Sequence, residues 1–108
     1  MKSRIVLVVY KPFPGKEQQL EKVVSKHFDV LRGQNLVTDR RPIVMRAESG
    51  SIIEIFEWLS AEAIASAHSN PDVLKLWDEF SLVCEYDRPV NVKELHDLFS
   101  EFEPISFN

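Results

Sequence analysis

The chain has 108 residues, of which 44% are hydrophobic and 28% charged, and its formal net charge is −4. That length is enough for one hydrophobic core, so we expect residues 1–108 to form a single domain. The acidic balance argues against a nucleic-acid partner, because phosphate affinity comes mainly from clustered basic residues. Arg40-Arg41 is the only adjacent basic pair in the sequence.

Cysteine use and the N-terminal sequence bear on the cellular compartment. Cys84 is the only cysteine, so the chain can form no internal disulfide and offers no cysteine cluster to zinc. The apolar run at residues 5–10 is too short for a secretory leader or a membrane span. We therefore expect a cytoplasmic protein without a membrane partner. A periplasmic protein whose leader has been removed is the alternative.

The first third of the chain predicts a strand followed by a helix. Residues 4–10 are apolar at both alternating parities, which is typical of a strand buried on both faces. Residues 11–15 contain two prolines and a glycine and predict a loop. Residues 16–32 have the apolar stripe of an amphipathic helix, and Gly33 is a plausible stop for it.

A hairpin is predicted in the middle of the chain. Residues 36–48 form its first strand, with an irregular part around Pro42, which cannot donate to a strand ladder. The composition of residues 48–51 predicts a turn, and residues 52–59 form the returning strand.

Two helix starts follow the hairpin. Ser60 is an N-cap candidate for a short helix. Asn70 repeats that role for a longer helix, with Pro71 at the first helical position, where its missing N–H costs nothing. The longer helix has one apolar side, formed by Val73, Leu76, Trp77, Phe80 and Val83.

The remaining sequence completes the predicted fold. Residues 87–98 are a connector with one helical turn near its end, and residues 99–105 are the last strand candidate. The order is then β-α-β-β-α-β, the ferredoxin-like pattern. The predicted class is α+β, with an antiparallel four-stranded sheet that carries its helices on one face.

The other face of such a sheet needs a cover. The first strand presents Ile5, Leu7 and Val9 to one side and Val6, Val8 and Tyr10 to the other. The third strand presents Ile53, Ile55 and Leu59 to one side and Ile52, Phe56 and Trp58 to the other. An exposed apolar face of this size is more than soluble monomers usually tolerate, so we expect a symmetric homodimer with paired sheets.

Several short motifs resemble one protein family over nearly the whole chain. They are Pro14-Gly15-Lys16 before the first helix, the sequence EWLSAEA at residues 57–63, Ala67-His68 and Asn70-Pro71. These motifs resemble the antibiotic-biosynthesis-monooxygenase-like family of dimeric α+β barrels. The resemblance implies a ferredoxin-like subunit, a dimer, and a mostly apolar cavity between each sheet and its helices.

The resemblance also bears on cofactors. Some members of the family oxidise aromatic polyketides or quinols with molecular oxygen and no cofactor, which makes a cofactor-free protein the expectation. A haem-degrading branch carries an Asn on strand one and a haem-ligating His on the second long helix. This chain has Val8 and Trp77 at those places, so the resemblance disfavours haem.

Three side chains are candidates for catalytic proton transfer. His27 lies on the apolar stripe of the first helix, where an imidazole acts as an acid or base toward a phenol, or is simply a buried core residue. His68 follows the short helix and either faces the cavity mouth or interacts with the helix C-terminal carbonyls. Tyr10 either hydrogen-bonds a substrate oxygen or packs with its hydroxyl in water. The histidines at 27, 68 and 96 lack metal-ligand spacing, so no metal site is expected.

Four aromatic residues are candidates for the walls that bind a substrate. They are Trp58, Trp77, Phe56 and Phe80. Their rings suit stacking on a planar ligand, and plain core packing is the alternative. Trp77 is favoured as cavity lining because it lies midway along the inner side of the longer helix.

Four other side chains with reactive groups are expected to have structural roles. Glu54 and Glu57 are three residues apart on a strand and point to opposite faces, so one subunit cannot easily bring them together as an acid/base pair. Arg46 and Glu54 flank the hairpin and are candidates for an ion pair across strands or subunits. Cys84 is expected to be a buried, inert thiol.

Three functional hypotheses follow from these residues. The first is a cofactor-free oxygenase that holds a small aromatic or quinone-like molecule. The second is a non-catalytic dimeric binding or interaction module with the same fold. The third, an RNA-binding module, has the least support, because strand one shows no aromatic pair flanked by basic residues and the net charge is negative.

Overall fold

A computed structural model describes residues 2–107 of the chain. Its strands are β1 (Arg4–Pro12), β2 (Ile43–Arg46), β3 (Ile52–Trp58), β4 (Cys84–Asp87) and β5 (Glu103–Pro104). Its helices are α1 (Glu17–Gly33), α2 (Ala61–Ala67) and α3 (Pro71–Val83), with 3₁₀ turns at Pro89–Asn91 and Lys93–His96.

The described strands form one antiparallel sheet in the order β4-β1-β3-β2-β5. Without β5, this is the ferredoxin-like order, and the long helices α1 and α3 pack together on one face of the sheet. The predicted α+β, ferredoxin-like class is confirmed. The sheet has five strands instead of the predicted four, because β5 adds two residues along β2.

Both predicted helix starts are present. The Ser60 hydroxyl accepts a hydrogen bond from the Ala63 N–H at 3.1 Å and caps α2. The Asn70 side-chain oxygen accepts from the N–H groups of Asp72 and Val73 at 3.0 and 3.2 Å and caps α3. These caps satisfy backbone donors that the first helical turn leaves free, which is why the chain breaks between the two helices.

The end of α1 lies slightly beyond the predicted stop. Gly33 is the last helical residue, and the residue with the left-handed backbone is Asn35, whose φ is 57°. The Leu36 N–H donates to the Leu31 carbonyl at 3.1 Å and closes the helix end. Asn tolerates this conformation better than most residues, so it takes the role expected of the glycine.

The second strand is shorter than predicted. Only Ile43–Arg46 is a strand, while Val37 forms an isolated bridge with Trp58. Pro42 precedes the strand directly and cannot donate to the ladder. The predicted turn is correct: the Ala47 N–H donates to the Ser51 carbonyl at 2.9 Å, and Gly50 supplies a φ of 99°.

The position predicted for the last strand of the core sheet is wrong. Cys84–Asp87 fills that place as β4 and pairs with β1, with Tyr86 opposite Tyr10. Cys84 ends α3 and is already extended, with φ −157° and ψ 170°, so no linker separates the helix from the strand. Of the predicted residues 99–105, only Glu103 and Pro104 pair with the sheet.

The two faces of β1 and β3 match the predicted alternation. Tyr10 and Ile52 are buried in the core under the helices, as is Trp58. On the opposite face, Val9 and Ile53 are buried with Val92 of the connector. The helix-side core holds most of the buried apolar residues, and it surrounds the site described below.

The outer face of the sheet is only partly covered by the chain itself. The connector between β4 and β5 covers Val9, but Ile5 and Leu7 remain 62% and 39% exposed. Ile43, in the same cross-strand row as Leu7, is 59% exposed. The prediction that β1 is buried on both faces therefore does not hold within one chain. No helix in residues 2–107 is long and apolar enough to cross a membrane.

Candidate functional site

A cavity of about 460 Å³ lies between the helix-side face of the sheet and the helices. It is lined by side chains of β1, β3, β4, α1 and α3, and by His68, which directly follows α2. The lining residues are Val6, Val8, Tyr10, His27, Phe56, Trp58, His68, Trp77 and Tyr86. They are mostly apolar and aromatic, and they include no Lys or Arg. This volume and composition are typical of small-molecule sites.

His27 contributes a buried imidazole to the cavity wall. It lies on the buried stripe of α1 and is 4% exposed. Its Nδ1 lies 2.8 Å from the Glu54 Oε1 atom. The rings of Phe56 and Phe80 meet the imidazole edge to face, with centroids 5.1 and 5.3 Å away. The ring is therefore held both by a hydrogen bond and by aromatic packing.

Tyr10 reaches the same carboxylate from the neighbouring strand. Its hydroxyl donates to Glu54 Oε1 at 2.6 Å, and its ring stacks on Phe80 with centroids 4.7 Å apart. Burial raises the pKa of Tyr10 well above its usual value, and the nearby Glu54 charge and hydrogen bond raise it further. The phenol therefore stays protonated and acts as a donor to Glu54.

Glu54 is the centre of this network, although it was not among the predicted site residues. Its side chain is fully buried at the middle of β3. Oε1 accepts from both Tyr10 and His27, whereas Oε2 has no hydrogen-bond partner among residues 2–107. Glu54 shares its parity with Phe56 and Trp58, which was the available signal that it faces the helices.

The ion pair suggested between Arg46 and Glu54 across the strands does not form within the chain. Arg46 contacts the Glu21 carboxylate at 3.1 Å and the Glu103 carboxylate at 3.3 Å. Opposite Glu54 on β2 is Val44, so the register puts Arg46 two residues away. Glu57 does lie on the opposite face from Glu54, as predicted.

The hydrogen bonds define how His27 presents itself to the cavity. An ionised carboxylate only accepts, so the Nδ1 atom that contacts Glu54 carries a proton. In the neutral imidazole, Nε2 is then the atom with a free lone pair. The arrangement is that of a proton acceptor oriented by a buried carboxylate.

His68 adds a second imidazole at a more exposed position. Its Nδ1 donates to the Ile64 carbonyl at 2.9 Å, near the end of α2. Its ring also meets Trp77 at a centroid distance of 5.1 Å and lines the cavity. Both interpretations offered for His68 therefore describe its surroundings: it binds a helix carbonyl and borders the cavity.

The predicted wall residues divide into two groups. Trp58, Trp77 and Phe56 line the cavity, whereas Phe80 lies behind Tyr10 and His27 and supports their rings. Tyr86 is an additional lining residue, brought there by the unpredicted position of β4. Burial, followed by the Cys84 charge, raises the pKa of Tyr86 to about 12.

Cys84 does not take part in the cavity lining. It is buried, and its thiol donates to the Phe80 carbonyl at 3.3 Å. Burial, with a smaller effect of Glu85, raises its pKa to about 11, which favours the unreactive thiol. Within residues 2–107, no group of three or more His, Cys, Asp or Glu side chains is arranged to hold a metal ion.

Comparison with known proteins identifies the fold. No protein-family model matches the sequence, and neither does any curated protein. The fold expected from the motifs is nevertheless shared with a solved structure, that of SnoaB, a cofactor-independent oxygenase from Streptomyces nogalater. The identity is 15%, the match covers 81% of this chain and 88% of that chain, and the TM-score is 0.68.

Proposed function

We propose that the protein is a cofactor-independent monooxygenase that binds a small aromatic or quinone-like molecule in the cavity described above. The observation that carries this proposal is the His27 imidazole, held at 2.8 Å by buried Glu54, in the wall of an apolar cavity. A positioned base and apolar surroundings favour deprotonation of a weak carbon or phenol acid. The fold shared with an oxygenase is consistent with this chemistry.

The proposed reaction needs only the ligand, oxygen and a base. His27 Nε2 accepts a proton from the ligand, for example from the CH₂ group of an anthrone. The resulting anion gives electrons to O₂; one oxygen atom forms a new carbonyl and the other leaves as water, so CH₂ + O₂ becomes C=O + H₂O. His68 exchanges protons with the ligand from the cavity edge, and the rings of Trp58 and Trp77 hold its plane.

The proposal includes a second copy of the chain. The exposed row of Ile5, Leu7 and Ile43 on the outer sheet face is the surface for that copy. Burying about 500 Å² per subunit at about 25 cal/mol/Å² contributes roughly 12 kcal/mol per subunit before association costs. We place this homodimer in the cytoplasm, with each chain acting as one domain.

Oxygen uptake in the presence of an anthrone tests the proposed activity. We expect turnover by the wild type, a loss of at least about tenfold in His27→Ala, and a smaller loss in His68→Ala. His96→Ala is the matched control, because His96 is exposed and its Nε2 donates to the Val90 carbonyl outside the cavity. Equal rates in His27→Ala and wild type would disprove the proposed role of His27.

A non-catalytic binding module is the second candidate. The same aromatic walls and the same apolar cavity suit a flat ligand that is held without being oxidised. Saturable binding of an anthrone under air, with no oxygen consumption above the uncatalysed rate, would favour this function over the oxygenase.

A further inference from the structure

We propose that Glu54 is a positioning residue that also determines specificity: it fixes the His27 tautomer, so that the cavity prefers uncharged, proton-donating ligands to anions of the same shape. This inference rests on the proposed function in assigning a ligand to the same cavity. It concerns binding, however, and does not require that the ligand be oxidised.

Two donors on different elements converge on one oxygen of Glu54. The Tyr10 hydroxyl comes from β1 at 2.6 Å, and His27 Nδ1 comes from α1 at 2.8 Å. Turning the imidazole over about its Cβ–Cγ bond would place a carbon atom, Cδ2, where Nδ1 now lies and would lose the hydrogen bond to the carboxylate. The tautomer with Nε2 as acceptor is therefore the one that the carboxylate supports.

Tyr10 acts in this arrangement through Glu54. Its hydroxyl is committed to the carboxylate, and it is only 1% exposed. Donation by Tyr10 stabilises the charge of Glu54, and that charge in turn holds the proton on His27 Nδ1. Tyr10 is therefore a second positioning residue, and its hydroxyl hydrogen is not available to a ligand.

The charges around the cavity set the selectivity. The lining residues include no Lys or Arg, so a bound anion would meet the Glu54 charge without a compensating cation. It would also meet the lone pair of His27 Nε2, which repels an acceptor and receives a donor. A phenol satisfies Nε2 with its hydroxyl hydrogen, whereas a carboxylate of the same shape does not.

The His27 tautomer can be measured in the wild-type protein. Two-dimensional long-range ¹H–¹⁵N correlation spectra at pH 7.5 distinguish protonated from unprotonated ring nitrogens, and His27→Ala identifies the signals. We expect a proton on Nδ1 and none on Nε2. A proton on Nε2, either alone or together with one on Nδ1, would overturn the proposal without the need for any Glu54 variant.

The selectivity can be measured with two bicyclic probes, 2-naphthol and 2-naphthoate, which match in shape and differ in charge. Quenching of the fluorescence of Trp58 and Trp77 reports binding. We expect the wild type to bind the naphthol at least about tenfold more tightly than the naphthoate, given the cost of placing like charges together. In Glu54→Gln that ratio should fall by about tenfold.

Glu57→Gln is the matched control for charge. Glu57 lies three residues further along the same strand but on the other face. Its carboxylate accepts hydrogen bonds from the side chains of Ser3, Thr38 and Arg40. This variant should keep the wild-type ratio. An unchanged ratio in folded Glu54→Gln, a wild-type preference for the naphthoate, or binding of neither probe would each overturn the proposal. The expected preference for naphthol, together with no oxygen consumption in the anthrone assay, would instead disprove the oxygenase function alone.

Discussion

Replacing Tyr10 by Phe tests whether a charged carboxylate lies at the centre of the core. The substitution removes one hydroxyl and keeps the ring, so stacking on Phe80 at 4.7 Å is retained. The lost hydrogen bond is 2.6 Å long and joins two side chains that are 1% and 0% exposed. Hydrogen bonds to charged groups contribute about 1.5–3 kcal/mol, and solvent cannot replace this one readily.

We therefore expect Tyr10→Phe to lower the free energy of unfolding by about 2 kcal/mol. For a chain of 108 residues, this corresponds to a decrease in Tm of about 9 °C. Urea unfolding at pH 7, followed by tryptophan fluorescence, measures the change. Tyr86→Phe is the control, because Tyr86 is 57% exposed, and it should cost less than about 0.5 kcal/mol.

An equally small loss in Tyr10→Phe and Tyr86→Phe would refute this reasoning. It would mean that Glu54 carries no charge for Tyr10 to stabilise, and the assignment of Nδ1 as the protonated atom of His27 would then lose its basis. A slope against urea concentration that differs between the variants would indicate a change in the exposed area, so only variants with equal slopes are to be compared.

Three further outcomes follow from the fold. Removing either N-cap, in Ser60→Ala or Asn70→Ala, should lower the free energy of unfolding by about 1 kcal/mol in urea titrations. Leu7→Lys should shift the proposed dimer toward monomer in analytical ultracentrifugation at micromolar concentration. Leu82→Lys, at an exposed position of α3, should not. A monomeric wild type would contradict the proposed dimer. Folding raises the pKa of Cys84 from 9.0 to about 11, so the thiol ionises at lower pH in the unfolded chain than in the folded protein. The free energy of unfolding therefore includes the full contribution of the buried neutral thiol below about pH 9, and this contribution is lost as the pH rises toward 11. Cys84→Ala should lose less stability than the wild type over this pH range. Urea midpoints with the same pH dependence over pH 8–11 in the variant and the wild type would argue against this prediction.

Local patterns were sufficient to predict much of the fold. Alternation separated the two faces of β1 and β3, and the caps Ser60 and Asn70 marked the starts of α2 and α3 correctly. These features depend on neighbours within a few residues in the chain. The same holds for His27, whose place on the buried stripe of α1 follows from helical periodicity.

The misplaced parts depend on contacts that are distant in sequence. Residues 84–87 form a strand because the edge of β1 is available for pairing, and nothing in their own composition separates them from the helix before them. The network around Glu54 likewise required the register of β1 against β3 and the position of α1 above them, which join residues 44 and 27 positions apart. The parity of Glu54 indicated its face, but no local signal indicated its partners.

Stability alone does not explain why Glu54 lies at the centre of the sheet. A carboxylate at the centre of the sheet loses its hydration, and well-packed apolar residues often stabilise such a site as well or better. Here one carboxylate oxygen has two donors and the other has no partner in the described part of the chain, so the desolvation of the charge is only partly offset. Departures from apolar patterning in a buried strand tend to occur where function requires them. The same carboxylate orients an imidazole in the wall of an apolar cavity, and it is this combination that makes a proton-transfer function a better account of Glu54 than core packing.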